Sequence, residues 1–200
     1  MTDVSIATDE ADEARAVLVL AHGAGGDLND PLLQALGRSL SRRGVAVVRF
    51  NFPYREEGRR APGAQQRSED CFRQIASSVR RAALPLYIGG KSYGGRIASH
   101  IVSDGSDAAG LVFLSYPLHP PGKPDRLRDA HLGRVPIPML FCQGTKDPFA
   151  TPQLLEEVVG RLPCARLHRI AGGDHSLRVR GGAQSDVVGD LTDAIDAFIR

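Results

Sequence analysis

Short apolar runs alternate with amphipathic stretches from end to end of the chain, the pattern of a parallel sheet wrapped by helices. Ala16 to Leu20 is an unbroken apolar run that stops at His22-Gly23-Ala24-Gly25-Gly26, which predicts a strand buried on both faces. Asp30-Pro31 starts a helix, with Asp30 as N-cap, Pro31 at the first helical position and Leu32, Leu33, Leu36 and Leu40 on one face, and Gly44 ends it. Val45 to Phe50 is the second strand, Asn51 to Gln65 a polar loop and Gln66 to Arg81 a helix.

Leu86 to Ile88 is a third strand that breaks at Gly89-Gly90, and from Tyr93 onward Ile97, Ile101 and Val102 recur at helical spacing. Leu111 to Leu114 is the fourth strand, and Pro117, Pro120, Pro121, Pro124 and Pro136 in the following loop disfavour a long helix there. Met139 to Cys142 is the fifth strand, followed by a helix capped by Thr151 with Pro152 behind it, and Arg166 to Ile170 is the sixth. In the last helix Val187, Val188, Leu191, Ala194, Ile195, Phe198 and Ile199 form one stripe, with Asp186, Asp190, Asp193 and Asp196 facing away. The expectation is a single domain over 1–200 with a mostly parallel sheet of about six strands. Residues 1–14 are expected to be an edge segment or poorly ordered.

Composition narrows the class without changing that picture. A hydrophobic fraction of 42% and a charged fraction of 24% belong to a folding chain rather than a disordered or disulfide-scaffold one. No apolar run reaches the roughly 18 residues of a membrane span, and the N-terminus carries Asp9, Glu10, Asp12 and Glu13 where a secretory signal needs basic residues. A cytoplasmic protein with no membrane partner is expected. Cys71, Cys142 and Cys164 form no CxxC and are odd in number, so buried thiols are expected rather than a disulfide framework or zinc cluster. The 25 basic residues include only three Lys and are dispersed. No basic stripe with interleaved aromatics points to nucleic acid.

The chemistry lies at the turns. Gly90-Lys91-Ser92-Tyr93-Gly94 is a G-x-S-x-G set between a predicted strand and a predicted helix, where a strained turn lifts a serine hydroxyl above the sheet edge. Such a serine needs a base to take its proton and an acid to orient that base, and in the α/β-hydrolase fold they follow in the order Ser, Asp or Glu, His. Asp147 lies just past the fifth strand and His175 just past the sixth, so all three are expected at the carboxyl ends of parallel strands. Asp174 is a weaker competitor for the acid. His22-Gly23-Ala24 resembles a loop that supplies one oxyanion-hole amide, which makes the Ala24 and Tyr93 N–H groups the candidate pair. His22 reads as a buttress of that loop, since neither HExxH nor a paired-His spacing occurs. No metal or cofactor is called for.

Gly90-Lys91-Ser92 also matches the end of a phosphate-binding P-loop, but Pro85 stands where its first glycine belongs and Leu86-Tyr87-Ile88 are strand formers. Arg55, in the loop after the second strand, and Arg96, four residues past the serine, are candidates to bind an anionic group on a substrate.

Several longer stretches are similar to one family. Arg49-Phe50-Asn51-Phe52-Pro53-Tyr54, Gly89 to Arg96, Tyr116 to Gly122 and Gln143 to Phe149 resemble the small dienelactone-hydrolase-like proteins. That family also includes a testis-expressed protein and a subunit of a histone-acetyltransferase (NSL) complex. The likeness runs from about Ala16 to the C-terminus and implies an α/β-hydrolase core without a separate lid, in keeping with the 24 residues between Leu114 and Met139. It implies Ser92, Asp147 and His175 as nucleophile, acid and base; true dienelactone hydrolases carry a cysteine nucleophile, and this chain has Ser92. A serine hydrolase acting on a small-molecule carboxylic ester or thioester is the expected activity. The rival is an interaction protein that keeps the fold without turnover.

Overall fold

The computed structural model describes residues 3–199. Its strands are β1 (Ile6–Asp9), β2 (Ala16–Ala21), β3 (Val45–Phe50), β4 (Leu86–Lys91), β5 (Gly110–Leu114), β6 (Met139–Gly144) and β7 (Ala165–Ile170). The helices are α1 (Pro31–Ser41), α2 (Pro53–Glu56), α3 (Gln65–Ser78), α4 (Tyr93–Ser103), α5 (Pro152–Gly160) and α6 (Gln184–Ile199). The strands form one sheet in the order β1-β3-β2-β4-β5-β6-β7, parallel throughout except for β1, which runs antiparallel to β3.

The strands have a physical cause that the sequence states openly. Every residue of β2, β3, β5 and β6 is buried, as a parallel sheet covered on both faces requires. The apolar stripes of α1 (Leu33, Leu36, Leu40) and α6 (Leu191, Ile195) close one face. Phe72 of α3, Ile97 and Ile101 of α4, and Leu155 and Val158 of α5 close the other. Asp30 caps α1 as expected, accepting the Leu32 and Leu33 N–H groups at 3.0 and 3.3 Å. Thr151 caps α5, accepting from Leu154.

Five expectations need correction. The sheet has seven strands where about six were expected, because β1 joins as an edge within residues 1–14, one of the two readings given for that segment; only four residues long and alternately exposed, it lacks the apolar run that marks a buried strand. Its place is fixed by tertiary contacts, the Arg49 guanidinium reaching Asp9 Oδ2 at 3.1 Å. The polar loop from Asn51 contains α2, whose Pro53 and Tyr54 are buried. The helix placed at Gln66 to Arg81 is Gln65–Ser78. Asp196 does not face solvent: it is buried and paired with Arg15 and Arg43. Cys71 and Cys142 are buried thiols, but Cys164 is exposed.

The strand order reverses direction between β2 and β4, and ligands of open α/β sheets bind in the crevice at such a switch, outside the carboxyl ends of the strands. No helix among the described residues is long and apolar enough to cross a membrane.

Candidate active site

β4 delivers Ser92 to that crevice. The residue stands between β4 and α4 with φ 49° and ψ −109°, a conformation L side chains rarely adopt, held here by its surroundings. The Ser92 N–H is tied to the Leu114 carbonyl on β5 at 2.8 Å, and its own carbonyl accepts the Arg96 N–H at 3.1 Å. So sharp a turn presses the start of α4 onto β2, and a Cβ on Gly94 would run into the Ala21 carbonyl. Glycine is therefore required there by space.

The loops after β6 and β7 bring the other two residues in. They are laced together by Thr145 N–H to the Ile170 carbonyl at 3.0 Å, Lys146 N–H to the Gly173 carbonyl at 2.8 Å and Gly172 N–H to Thr145 Oγ1 at 2.8 Å. Gly144 allows the approach, since a Cβ there would strike the Gly173 backbone. His175 Nε2 then lies 2.9 Å from Ser92 Oγ, and His175 Nδ1 lies 2.7 Å from Asp147 Oδ2. Ser92, His175 and Asp147, drawn from the ends of three strands, form one hydrogen-bonded chain.

Asp147 is the buried end of that chain, its side chain 0% exposed. Its carboxylate also accepts the Gln143 amide at 2.6 Å and the Phe149 N–H at 2.8 Å, so an ionised carboxylate is solvated by protein donors in place of water. Phe149 packs its ring edge on His175, centroids 4.5 Å apart. Asp174 takes no part in the chain; its Oδ1 accepts the Ser176 and Arg178 N–H groups and shapes the turn that presents His175.

The loop after β2 lies beside Ser92, close enough that a Cβ on Gly23 would sit 3.8 Å from the Ser92 Cβ. Fully buried His22 braces it as the sequence suggests. Its Nδ1 donates to the Gly23 carbonyl at 2.7 Å, and its Nε2 accepts the Phe52 N–H at 3.2 Å. Burial lowers the His22 pKa, which keeps the neutral tautomer that this pair of bonds needs. The Tyr54 hydroxyl fixes the far side of the loop by donating to the Ala24 carbonyl at 2.8 Å. Ala24 and Tyr93 line the same cavity as Ser92 and His175.

That cavity has a volume of about 470 Å³. Ala24, Pro62, Pro117, Pro121 and Phe149 give it apolar walls, while Gln65, Arg96 and Arg128 supply polar ones. Arg96 is thus in the lining of the cavity that holds Ser92. Arg55 does not line this cavity: its guanidinium bonds to the Arg59 carbonyl at 3.0 Å and faces Asp27 at 3.6 Å. Lys91 is likewise occupied, pairing with Asp30 at 2.8 Å.

The domain model that describes alpha/beta hydrolases matches residues 14–200. The chain belongs to the alpha/beta hydrolase family. Solved structures agree with this fold at low sequence identity. A serine hydrolase homologue from Coxiella burnetii superimposes with a TM-score of 0.78 at 16% identity, over 98% of this chain and 92% of the other. A serine hydrolase without a lid from Xanthomonas campestris gives 0.75 at 22% identity, over 98% and 89%. A dienelactone hydrolase from Anabaena variabilis gives 0.74 at 17%, over 98% and 93%. Between β5 and β6 of this alpha/beta hydrolase the described chain forms only a three-residue 3-10 turn, Leu132–Arg134.

Sequence reasoning missed Gln143 and Arg128. Gln143 is the one polar side chain in an otherwise apolar β6, at its carboxyl end, and that placement is a usable signal. Arg128 has none, being one of several arginines in a loop without periodicity.

Proposed function

We propose that this alpha/beta hydrolase is a serine hydrolase cleaving a small carboxylic ester or thioester through an acyl-enzyme. The observation that carries the reading is the Ser92–His175–Asp147 chain, with contacts of 2.9 and 2.7 Å. Ser92 Oγ attacks the acyl carbon and passes its proton to His175 Nε2, while the carbonyl electrons move onto oxygen to give a tetrahedral oxyanion. The Ala24 and Tyr93 N–H groups receive that oxyanion, the latter at the positive end of α4. Collapse breaks the bond to the leaving oxygen or sulfur, which takes the proton from His175. Water then attacks the acyl-enzyme, giving its proton to His175, and the second collapse returns that proton to Ser92 Oγ and frees the acid. Asp147 holds the imidazole in the tautomer with Nδ1 protonated and stabilises the imidazolium between steps.

The motifs quoted from the sequence support reading the chain as one of the small dienelactone-hydrolase-like proteins, with Ser92 where true dienelactone hydrolases carry a cysteine.

A fluorophosphonate probe tests the assignment: it labels the wild type on Ser92, and Ser92→Ala abolishes labelling. With aryl esters, Ser92→Ala and His175→Ala are expected to lower kcat by on the order of a millionfold, and Asp147→Asn by on the order of ten-thousandfold. A folded Ser92→Ala protein with unchanged turnover overturns the proposal, and an unlabelled, inactive wild type favours the interaction-protein alternative.

A further inference from the structure

The cavity over Ser92 carries two guanidinium groups and no carboxylate in its walls among the described residues. Arginines elsewhere are answered by acids: Arg55 faces Asp27, Arg73 bonds Asp70 at 3.1 Å, and Arg161 bonds Asp129 at 3.1 Å. Arg96 and Arg128 are not. Arg96 Nη1 donates to the neutral Gln65 side-chain oxygen at 2.9 Å, and its guanidinium carbon lies 5.5 Å from the Tyr93 ring centre. These contacts hold it in place without cancelling its charge.

Arg128 is anchored through its backbone instead. Its N–H donates to the Leu118 carbonyl at 2.7 Å, and its carbonyl accepts the hydroxyl of fully buried Tyr116 at 3.0 Å. The adjacent acid, Asp129, is turned away to Arg161. Burial, and then the charge of Arg96, pull the Arg128 pKa below its ordinary value, in keeping with two cations lining one cavity. Two like charges lining one cavity are unfavourable until an anion enters. A planar carboxylate answers guanidinium groups with short, charge-assisted bonds.

We propose that Arg96 and Arg128 form a subsite for a carboxylate carried by the substrate, so that this enzyme prefers esters bearing a free acid group. This rests on the hydrolase reading above and adds the substrate class. Arg96 lies four residues beyond Ser92 on α4, about 6 Å along the helix axis, so the carboxylate binds one turn away from the reacting carbonyl. Apolar Pro62, Pro117 and Phe149 are left for the carbon chain between the two ends. Arg55, the other sequence candidate, is engaged elsewhere and has no part in it.

The test uses two pairs of esters that differ only in charge: 4-nitrophenyl hydrogen glutarate against its methyl ester, and 4-acetoxybenzoate against its methyl ester, with spontaneous hydrolysis subtracted. The wild type is expected to favour the charged member of at least one pair by about tenfold or more in kcat/KM. Arg128→Ala should collapse that ratio mainly through KM, and Arg96→Lys should lower it partway, with melting curves confirming that both variants fold. Calorimetric titration of the intact protein with glutarate and with 4-hydroxybenzoate gives a readout free of turnover: at least one binds, and Arg128→Ala weakens it about tenfold. Neutral preference in both pairs, a ratio unchanged in Arg128→Ala, or no binding of either acid overturns the subsite. Failure of Ser92 to label, with no ester turned over, overturns the hydrolase reading instead, and the titration still decides the subsite.

Discussion

His131 is buried and stacks on His100 with ring centroids 3.8 Å apart and planes within 10°. Its Nε2 lies 2.7 Å from Ser99 Oγ, which donates to the Arg96 carbonyl, and 3.4 Å from the Tyr116 hydroxyl, which donates to the Arg128 carbonyl. With both hydroxyl protons spent, the network assigns the His131 proton to Nε2. Burial, then the neighbouring charges of His100, Arg96 and Arg134, against a smaller pull from Asp104, push its pKa down to about 4. The unfolded chain takes up this proton near 6.5 while the folded protein resists it until about 4. The contribution is therefore fully present above 6.5 and is lost as pH falls towards 4. His100, lowered chiefly by burial, acts in the same direction. Urea unfolding at a series of pH values is expected to show wild-type stability falling by on the order of 2 kcal/mol more than that of His131→Gln across this range. Equal slopes in the two proteins would remove His131 from the account.

At the scale of elements, α4 and β2 are held closer than side chains permit. Gly94 lies in the first turn of α4 against the Ala21 carbonyl, and a Cβ there meets backbone, which cannot rotate away. Gly189 in α6 has nothing within 4 Å of its missing Cβ. The two glycines should respond oppositely to one change. Gly94→Ala is expected to destabilise the protein by about 2–3 kcal/mol and to displace the Ser92 turn. Gly189→Ala is expected to stabilise it by about 0.5–1 kcal/mol through helix propensity. Thermal melts of both variants check this, and a Gly94→Ala protein as stable as wild type would show that β2 and α4 can separate without cost.

Over the whole molecule, the chain between β5 and β6 is spent on the core rather than on a cover. Tyr116, Leu118 and Leu132 from this segment are fully buried, and Leu127 is its one large hydrophobic residue exposed among the described residues. No apolar flap remains to lift at a lipid surface. Rates on a short-chain ester are therefore expected to rise smoothly through its solubility limit and to stay level when micelles are added. A jump at the aggregation point, read as initial rate against substrate concentration, would show a gated site.

The sequence by itself determined the buried strands, because residues covered on both faces must be apolar without a break, as in β2 and β3. It determined the caps Asp30 and Thr151 and the order of Ser92, Asp147 and His175 after successive strands, since turn chemistry is local. Contacts distant along the chain decided the rest. β1 exists through its pairing with β3 and the Asp9–Arg49 contact, and Asp196 is buried because Arg15 and Arg43 converge on it from other elements. The same holds in the cavity. Arg55 and Arg96 look alike as residues near turns, and only the fold gives Arg55 an aspartate and puts Arg96 with Arg128 in the lining of the cavity that holds Ser92. Periodicity carries information about the neighbours along a strand or helix; what a charged side chain meets depends on elements brought beside it by the packing of the sheet.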